Sequence, residues 1–437
     1  MKNNLFKKVI VCILIATLLI SMPILNVSAY ETTTDGLEYV IIADEVFIID
    51  YKGDATKVVV PSEIDNKPVK HIDSSAFAEC SKIEEIIIPE GVVTIGSDAF
   101  IRCTSLKRIV LPESINSIGS GAFRYCCALT DITLPEGLTE IKDRCFSKCS
   151  ALPEINIPDT VTVIEECAFY ACESLTNIIV PKNVKQLGYA VFSECINLSK
   201  ITLPNDMTHI GYNLVENTAF YNNSENWEGP ALYLNTYLLT SDDEMADGFV
   251  VKEGTTMLCE YSLESCENLT TIILPESLEY IDKDAFTYCY NLQSLIVPDG
   301  VKVIGETAFE CCYKLKSITI PDTVTFISDS AFNLCPENLE IIGYKNSYAH
   351  KYANSMGFDF YVLDETIPYP PNVGYRVGDA NLDGKINIKD ATAIQKHLAG
   401  IIKFHEISLL LADVDENSDV NIKDATAIQK YLAGISF

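Results

Sequence analysis

Two short stretches near the end of the 437-residue chain concentrate oxygen donors at fixed spacing. In the first, Asp379, Asn381 and Asp383 stand at positions 1, 3 and 5 of a loop; Lys385 offers a backbone carbonyl at 7, and Asn387 and Asp390 follow at 9 and 12. In the second, Asp413, Asp415 and Asn417 open the loop, with the Asp419 carbonyl, Asn421 and Asp424 at the later positions. A hard cation such as Ca²⁺ takes about six to eight oxygens, and a loop of this spacing wraps them around one ion. The pattern therefore predicts two calcium ions, one per loop. Gly384 supplies the sharp turn at position 6 of the first loop. The second has Ser418 there, and a left-handed serine costs about 1 kcal/mol, so the second site is expected to be the weaker.

Each loop leads into the same ten residues, NIKDATAIQK, at 387–396 and again at 421–430. Ahead of them, Ile367-Pro368-Tyr369-Pro370-Pro371 reads as an extended, semi-rigid linker. The two loop–helix units resemble type I dockerins over Val377 to Ile435. That resemblance implies a small all-α module that docks onto a scaffoldin cohesin in a calcium-dependent way. The family's contact positions fall on Ile388, Lys389, Lys396 and His397 in the first copy, and on Ile422, Lys423, Lys430 and Tyr431 in the second. The Ile-Lys pairs depart from the Ser-Thr pair of the best-known clostridial dockerins, which leaves the partner cohesin open.

The larger part of the chain is periodic. Proline follows an apolar residue at Pro89, Pro112, Pro135, Pro158, Pro181 and Pro204, each step 23 residues, and the beat resumes at Pro275, Pro298 and Pro321. Phenylalanine keeps the same beat from Phe77 to Phe192 and from Phe286 to Phe332, with a cysteine three residues after each. One coil reads C-x-x-L-x-x-I-x-L-P-x-x-V-x-x-I-x-x-x-A-F-x-x. Where apolar residues alternate, as at Ile109 and Leu111, a short strand is expected, ended by a proline that cannot donate a hydrogen bond. No coil can bury its own apolar face, so coils must stack, each strand pairing in parallel with the next. The pattern resembles the BspA-like bacterial leucine-rich repeats over roughly residues 37–362. The expected fold is thus an α/β leucine-rich-repeat solenoid with 23-residue coils and one parallel sheet, followed by the all-α dockerin. The resemblance also implies an entry hairpin within 53–72 and a closing helix at 347–353. The beat breaks between Pro204 and Pro275; an insertion over about 221–248 carries the only tryptophan, Trp227, and a small hairpin. Such an insertion is either a decorated coil or a binding element.

These nine cysteines, with Cys266 on the same beat, form one inward column of ten. Neighbours in a stack are close enough for disulfides, but parallel side chains in a ladder rarely reach the required torsion, and buried cysteine also serves as a small hydrophobe. A reduced structural ladder is the expectation. Catalytic signals are sparse. His71 and His209 share a column six coils apart, and no zincin, nucleophile-elbow or P-loop motif occurs. No domain is left over to set two carboxylates across a cleft. The outward strand row, with Ile87, Val110, Ile179, Ile273 and Ile296, is mostly β-branched and uncharged. It fits either plain strand propensity or a protein-binding face, with Trp227 as a second contact. It lacks the aromatic platforms of a sugar-binding face.

Residues 1–29 read as a secretory signal peptide, with Lys2, Lys7 and Lys8 before an apolar stretch and Val27-Ser28-Ala29 as a cleavage site. Without them 29 basic residues face 61 acidic ones, a formal charge of −32. That argues against nucleic acid or anionic membrane as partner, and no later run is long enough to span a bilayer. The organisation read from the sequence is a cap hairpin over 30–71, repeats over 72–345, a cap helix over 346–363, a linker over 364–375 and the dockerin over 376–437. The functional expectation is a secreted, extracellular, non-catalytic cellulosome subunit that binds a cohesin and displays repeats to an unknown protein ligand. The alternatives are a dockerin-borne enzyme of plant-polysaccharide degradation and a surface adhesin.

Overall fold

The computed structural model describes residues 30–242, 245–363, 380, 388–399, 412, 414 and 420–432. It forms two compact units, Met1–Asn183 with Glu194–Ile201, and Val184–Ser193 with Thr202–Phe437. Both are built from coils of about 23 residues stacked through parallel strands.

In the first unit the strands Leu37–Ile42 and Glu45–Tyr51 form an antiparallel hairpin, and Glu63–Ile64 folds back on Lys67–Ile72. The expected ladder follows: Val58, Ile86, Ile109 and Ile132 lie in parallel register on successive coils. The side chain at the middle of each three-residue strand points into the core, as at Ile86 and Ile109. Beside it runs a second ladder of short strands, with Ile72, Ile95 and Ile118 in register. The V-x-x-I half of the coil produces it by returning a β-branched residue to the core at each turn.

The far wall has no strands, yet it is hydrogen-bonded just as regularly. The N–H groups of Ser75, Phe77 and Glu79 donate to the carbonyls of Ser97, Ala99 and Ile101 one coil on, and Asp98, Phe100 and Arg102 repeat the pattern. To aim alternate amides along the stack, the residues two before and two after each phenylalanine turn left-handed: Ser75 and Glu79 have φ of 59° and 63°, Asp98 and Arg102 55° and 59°. Left-handed backbone costs a non-glycine residue about 1–2 kcal/mol. The inter-coil hydrogen bonds and the rings between them offset that strain. Phe77, Phe100, Phe123, Phe146 and Phe169 are fully buried and stack at 5.2–5.4 Å.

Every cysteine among the described residues is a free thiol. The column satisfies carbonyls on the far wall. Cys103, Cys126 and Cys149 donate S–H to the carbonyls of Phe77, Phe100 and Phe123, at 3.0–3.2 Å. Burial pushes these thiols up, that of Cys126 well above its ordinary value, so they remain protonated donors and poor nucleophiles.

The second unit repeats the scheme, with Phe286, Phe309 and Phe332 stacked at 5.1–5.2 Å. Here the 221–248 region is accommodated. Strand Ala231–Leu234 pairs antiparallel with Tyr237–Ser241, and the latter pairs in parallel with Met257–Leu258, becoming a rung of the second ladder. Tyr237 reaches back through its hydroxyl, donating to the Pro204 carbonyl at 2.6 Å. The stack ends under the helix Tyr348–Met356, capped at its start by the Ser347 hydroxyl and at its end by left-handed Gly357. Its inner face, Ala349, Tyr352 and Ala353, closes over the core.

Coils that lie far apart in sequence meet across this insertion. The Glu260 N–H donates to the Ile210 carbonyl. His209 Nδ1 lies 2.8 Å from Asp282 Oδ2, and Glu260, which is nearly buried, takes Lys283 at 3.1 Å. Burial alone would lower the His209 value, but the hydrogen bond and charge of Asp282, aided by Glu260 and opposed by Lys283, hold it above the ordinary histidine range. A raised value means the pair stabilises the fold fully below the unfolded histidine value of about 6.5 and stops doing so as pH rises through the folded value. Replacing His209→Gln should therefore cost roughly 1 kcal/mol more at about pH 5.5 than at about pH 9. Urea unfolding at the two pH values measures it, and an equal cost at both would rule the clamp out.

Candidate functional site

The C-terminal helices Ile388–Leu398 and Ile422–Leu432 are the duplicated decamer in three dimensions. They pack on a small core of Ala391 and Ile394 from one and Ala425 and Ile428 from the other, with Ala380 and Ala412 and with Val414 and Val420 against it. Alanines at the contact let two short helices approach closely. Asn421 caps the second helix, its Oδ1 accepting from the Lys423 N–H at 2.9 Å, which satisfies one of the free amides of the first turn.

Asp390 and Asp424, the residues at position 12 of the two loops, are both fully buried in the first turns of these helices. A carboxylate is favoured there by the helix dipole, but complete burial of a charge needs more compensation than a dipole gives. Asp424 Oδ1 accepts from the Val414 N–H and Oδ2 from the Asn421 N–H, both at 2.8 Å. The acid at the end of the second loop is thereby tied to the backbone between Asp413 and Asp415, at its beginning. A buried carboxylate tied in this way to the backbone at the head of its loop suits a hard cation. Asp379, Asn381, Asp383, Lys385, Asn387, Asp413, Asp415, Asn417 and Asp419 lie outside the described residues.

The outer surface of the pair keeps the same twofold logic. Ile388 and Ile422 are each 57 % exposed, an unusual state for isoleucine at the head of a helix. Lys389, Lys396, Lys423 and Lys430 are exposed and His397 is half-buried; the side chain of Tyr431 lies outside the described residues. Leu398 and Leu432 join this surface without having been expected there, exposed by 44 % and 43 % at equivalent places near the helix ends. Duplication itself was the available signal, since both copies hold leucine there.

The strand row of the repeats is less uniform than expected. In the first unit Ile179 is 68 % exposed, while Ile87 and Val110 are half-buried. In the second, Ile273 is half-buried but Ile296 is only 3 % exposed and cannot serve on an open face. Ile296 lies in register with Thr319, and Thr319 with Ile342, on unbroken adjacent strands, and all three are buried. Branched side chains at strand spacing shield one another. Trp227 is half-buried too; its indole N–H donates to the Tyr221 carbonyl at 2.8 Å and its ring meets Tyr221 edge-on. It pins the insertion to its own coil.

The histidines of the repeats are engaged within the fold. His71 stacks on Phe47 at 4.2 Å and bonds Thr94, His209 pairs with Asp282, and His350 stacks on Phe360. No helix among the described residues is long and apolar enough to cross a membrane.

Comparison with known proteins places these features. The BspA type leucine rich repeat region matches in six copies over residues 41–174, 118–224 and 246–355, and the dockerin type I domain matches residues 377–433. Among solved structures, a leucine rich cell surface protein from Faecalibacterium prausnitzii A2-165 is 28 % identical, the match covering 75 % of this chain and 97 % of that one at a TM-score of 0.38. A leucine-rich repeat protein from Bacteroides ovatus is 21 % identical over 79 % of this chain and 100 % of its own, TM-score 0.30. The leucine rich repeat protein of T. pallidum is 22 % identical over 66 % and 87 %, TM-score 0.28. No curated protein matches the chain.

Proposed function

The chain belongs to the BspA-type leucine-rich repeat family and ends in a type I dockerin, and from that premise we propose that it is a secreted, non-catalytic cellulosome subunit held by calcium. A dockerin implies a cohesin-type partner, and the repeats form a protein-binding region. Both matched domains are of non-catalytic kinds. In this reading the cleaved leader is residues 1–29, and the repeats, rather than an enzyme, are the cargo delivered to the assembly.

The observation that carries the reading is the matched pair of exposed isoleucines, Ile388 and Ile422, each set two residues before a fully buried aspartate. Two calcium ions would be held by Asp379, Asn381, Asp383, Asp390 and the Lys385 carbonyl in one loop, with Asn387 at the outer position. Asp413, Asp415, Asn417, Asn421, Asp424 and the Asp419 carbonyl would hold the second. The ions would neutralise Asp390 and Asp424 and fix the helix heads that present Ile388-Lys389 and Ile422-Lys423. Lys396, His397, Lys430 and Tyr431 extend the two contact surfaces. Metal binding energy would then be folding energy for a module whose core is little more than alanine and isoleucine.

Calcium removal should unfold this module. A fragment of residues 364–437 should gain helical circular dichroism on adding Ca²⁺ and lose it in chelator. Asp390→Ala or Asp424→Ala should raise the calcium needed for half-folding about tenfold or more. Full helicity in chelator would contradict the proposal. The near-identical copies also predict two docking orientations related by a half-turn. Replacing Ile388 and Lys389 by alanine should weaken cohesin binding by no more than about threefold, whereas adding Ile422→Ala and Lys423→Ala should abolish it. Calorimetry with a cohesin that the wild type binds decides this, and loss of binding in the single-copy variant would exclude the dual mode. The non-catalytic assignment fails if the purified full chain releases reducing sugar from cellulose, xylan or pectin.

A further inference from the structure

The chain is strongly acidic, with a formal charge of −29 and only five arginines. Four of those arginines, Arg102, Arg108, Arg124 and Arg144, fall within residues 102–148, where seven Lys and Arg face five Asp and Glu. In the sequence these charges are scattered across two coils and form no run. Folding gathers three of the seven, Arg102, Arg124 and Lys148, around one ring.

Five of the seven cations there have a carboxylate within ion-pair distance. Arg102 takes Glu79 at 3.2 Å, Lys107 takes Glu84 at 2.8 Å and Arg108 takes Asp131 at 2.8 Å. Lys142 takes Glu140 at 3.1 Å and Arg144 takes Asp143 at 2.6 Å. Arg124 and Lys148 have none among the described residues. Both lie 5.2 Å from the centre of the Tyr125 ring, with Arg102 at 5.6 Å from it. All three members of this centre, Arg124, Tyr125 and Lys148, are half-buried. The Arg124 Nε is buried and has no acceptor among the described residues. An unmade hydrogen bond on a buried charged donor is costly. Attraction to the ring face offsets only part of the repulsion among three cations.

We propose that Arg124 and Lys148, set around Tyr125, form a carboxylate-binding site that takes an extended acidic peptide segment of a partner protein. Both charges lie 5.2 Å from one ring centre, so they are at most twice that, 10.4 Å, apart. Alternate side chains of an extended peptide stand about 6.8 Å apart on one face, within that reach. The Tyr125 ring carries cations rather than open faces, so a sugar ring has no platform to stack on and recognition is by charge. The acidic remainder of the chain does not prevent this, because fields from charges beyond about 8 Å are screened at physiological salt. The inference rests on the reading of the repeats as a protein-binding module and names where, and through what chemistry, such a ligand is held. It places the contact on the far wall of the coils, away from the isoleucine row.

The test uses the full chain and a fluorescein-labelled hexaglutamate peptide, read by fluorescence polarisation at about 20 mM and 200 mM salt. The wild type should bind, more weakly at the higher salt. Arg124→Gln with Lys148→Gln should weaken binding about tenfold or more, while Lys107→Gln, which breaks an ordinary surface pair, should change it less than about twofold. Because Arg124 is half-buried, Lys148→Met alone serves as the second variant: it keeps the packed stem, removes the charge and should weaken binding at least about threefold. The site is refuted if the wild type does not bind the peptide, or if the double variant and Lys148→Met bind it as well as the wild type. It is also refuted if trigalacturonate binds as tightly as the peptide, which would assign the patch to an acidic saccharide. Capture of a natural protein ligand by the repeats that survives these variants would sink this site alone. Absence of any such ligand would sink the protein-binding reading instead.

Discussion

Within each unit, everything follows from the requirement that a coil bury its apolar face against a coil like itself. A 23-residue turn is too short to enclose a core, so its Ile, Leu, Phe and Cys positions find partners only one step up and one step down the stack. The backbone enforces the step. Strand amides do so on two ladders, and on the far wall the amides at and beside each phenylalanine do so by alternating left-handed residues. Those residues carry strain at nearly every turn, tolerated because each strained amide donates to the next coil. With the spacing set, phenylalanine rings stack at just over 5 Å, and thiols find the carbonyls above them. The cysteine column is thus part of the hydrogen-bond network of the core, and its thiols are kept protonated by the same burial that makes the column possible.

Surface chemistry inherits that periodicity. A side chain on the outside belongs to a column, and columns vary freely because nothing in the core depends on them. Salt bridges between residues about one coil apart, such as Arg102 with Glu79 and Lys302 with Glu279, occupy many such columns. They contribute little stability individually; their interest lies in what they leave unpaired. Where a cation has no acid one coil away, as at Lys148, the column becomes a place for something else to bind. The strand row is a weaker candidate in the second unit, where register neighbours bury it.

The C-terminal helix pair obeys a different constraint. Its core is a few alanines and isoleucines, and two fully buried aspartates sit at its helix heads. The second of these accepts hydrogen bonds from the backbone N–H groups of Val414 and Asn421, which ties the head of its helix to the segment before it. The duplication that repeats the helix also repeats its outer surface, with Ile388 and Ile422 and then Leu398 and Leu432 exposed at equivalent places.

Much of this was legible in the residues themselves. The period, the inward columns, the prolines that end strands and the capping helix are all local patterns, and local geometry converts them into structure with little freedom. Sequence placed Ile179 and Ile296 in one outward row, but not that the first is open and the second shielded, because exposure depends on neighbours in register rather than on the residue's own alternation. Nor could spacing foresee that His209 would meet Asp282, 73 residues away, since the insertion sets which coils become adjacent. Arg124 and Lys148 look like ordinary surface charges until folding brings them to one ring and leaves them without an acid in ion-pair reach among the described residues. Periodicity determines which column a residue joins. Only the tertiary structure decides what stands beside it, because burial and charge are sums over neighbours that the chain brings together from far apart.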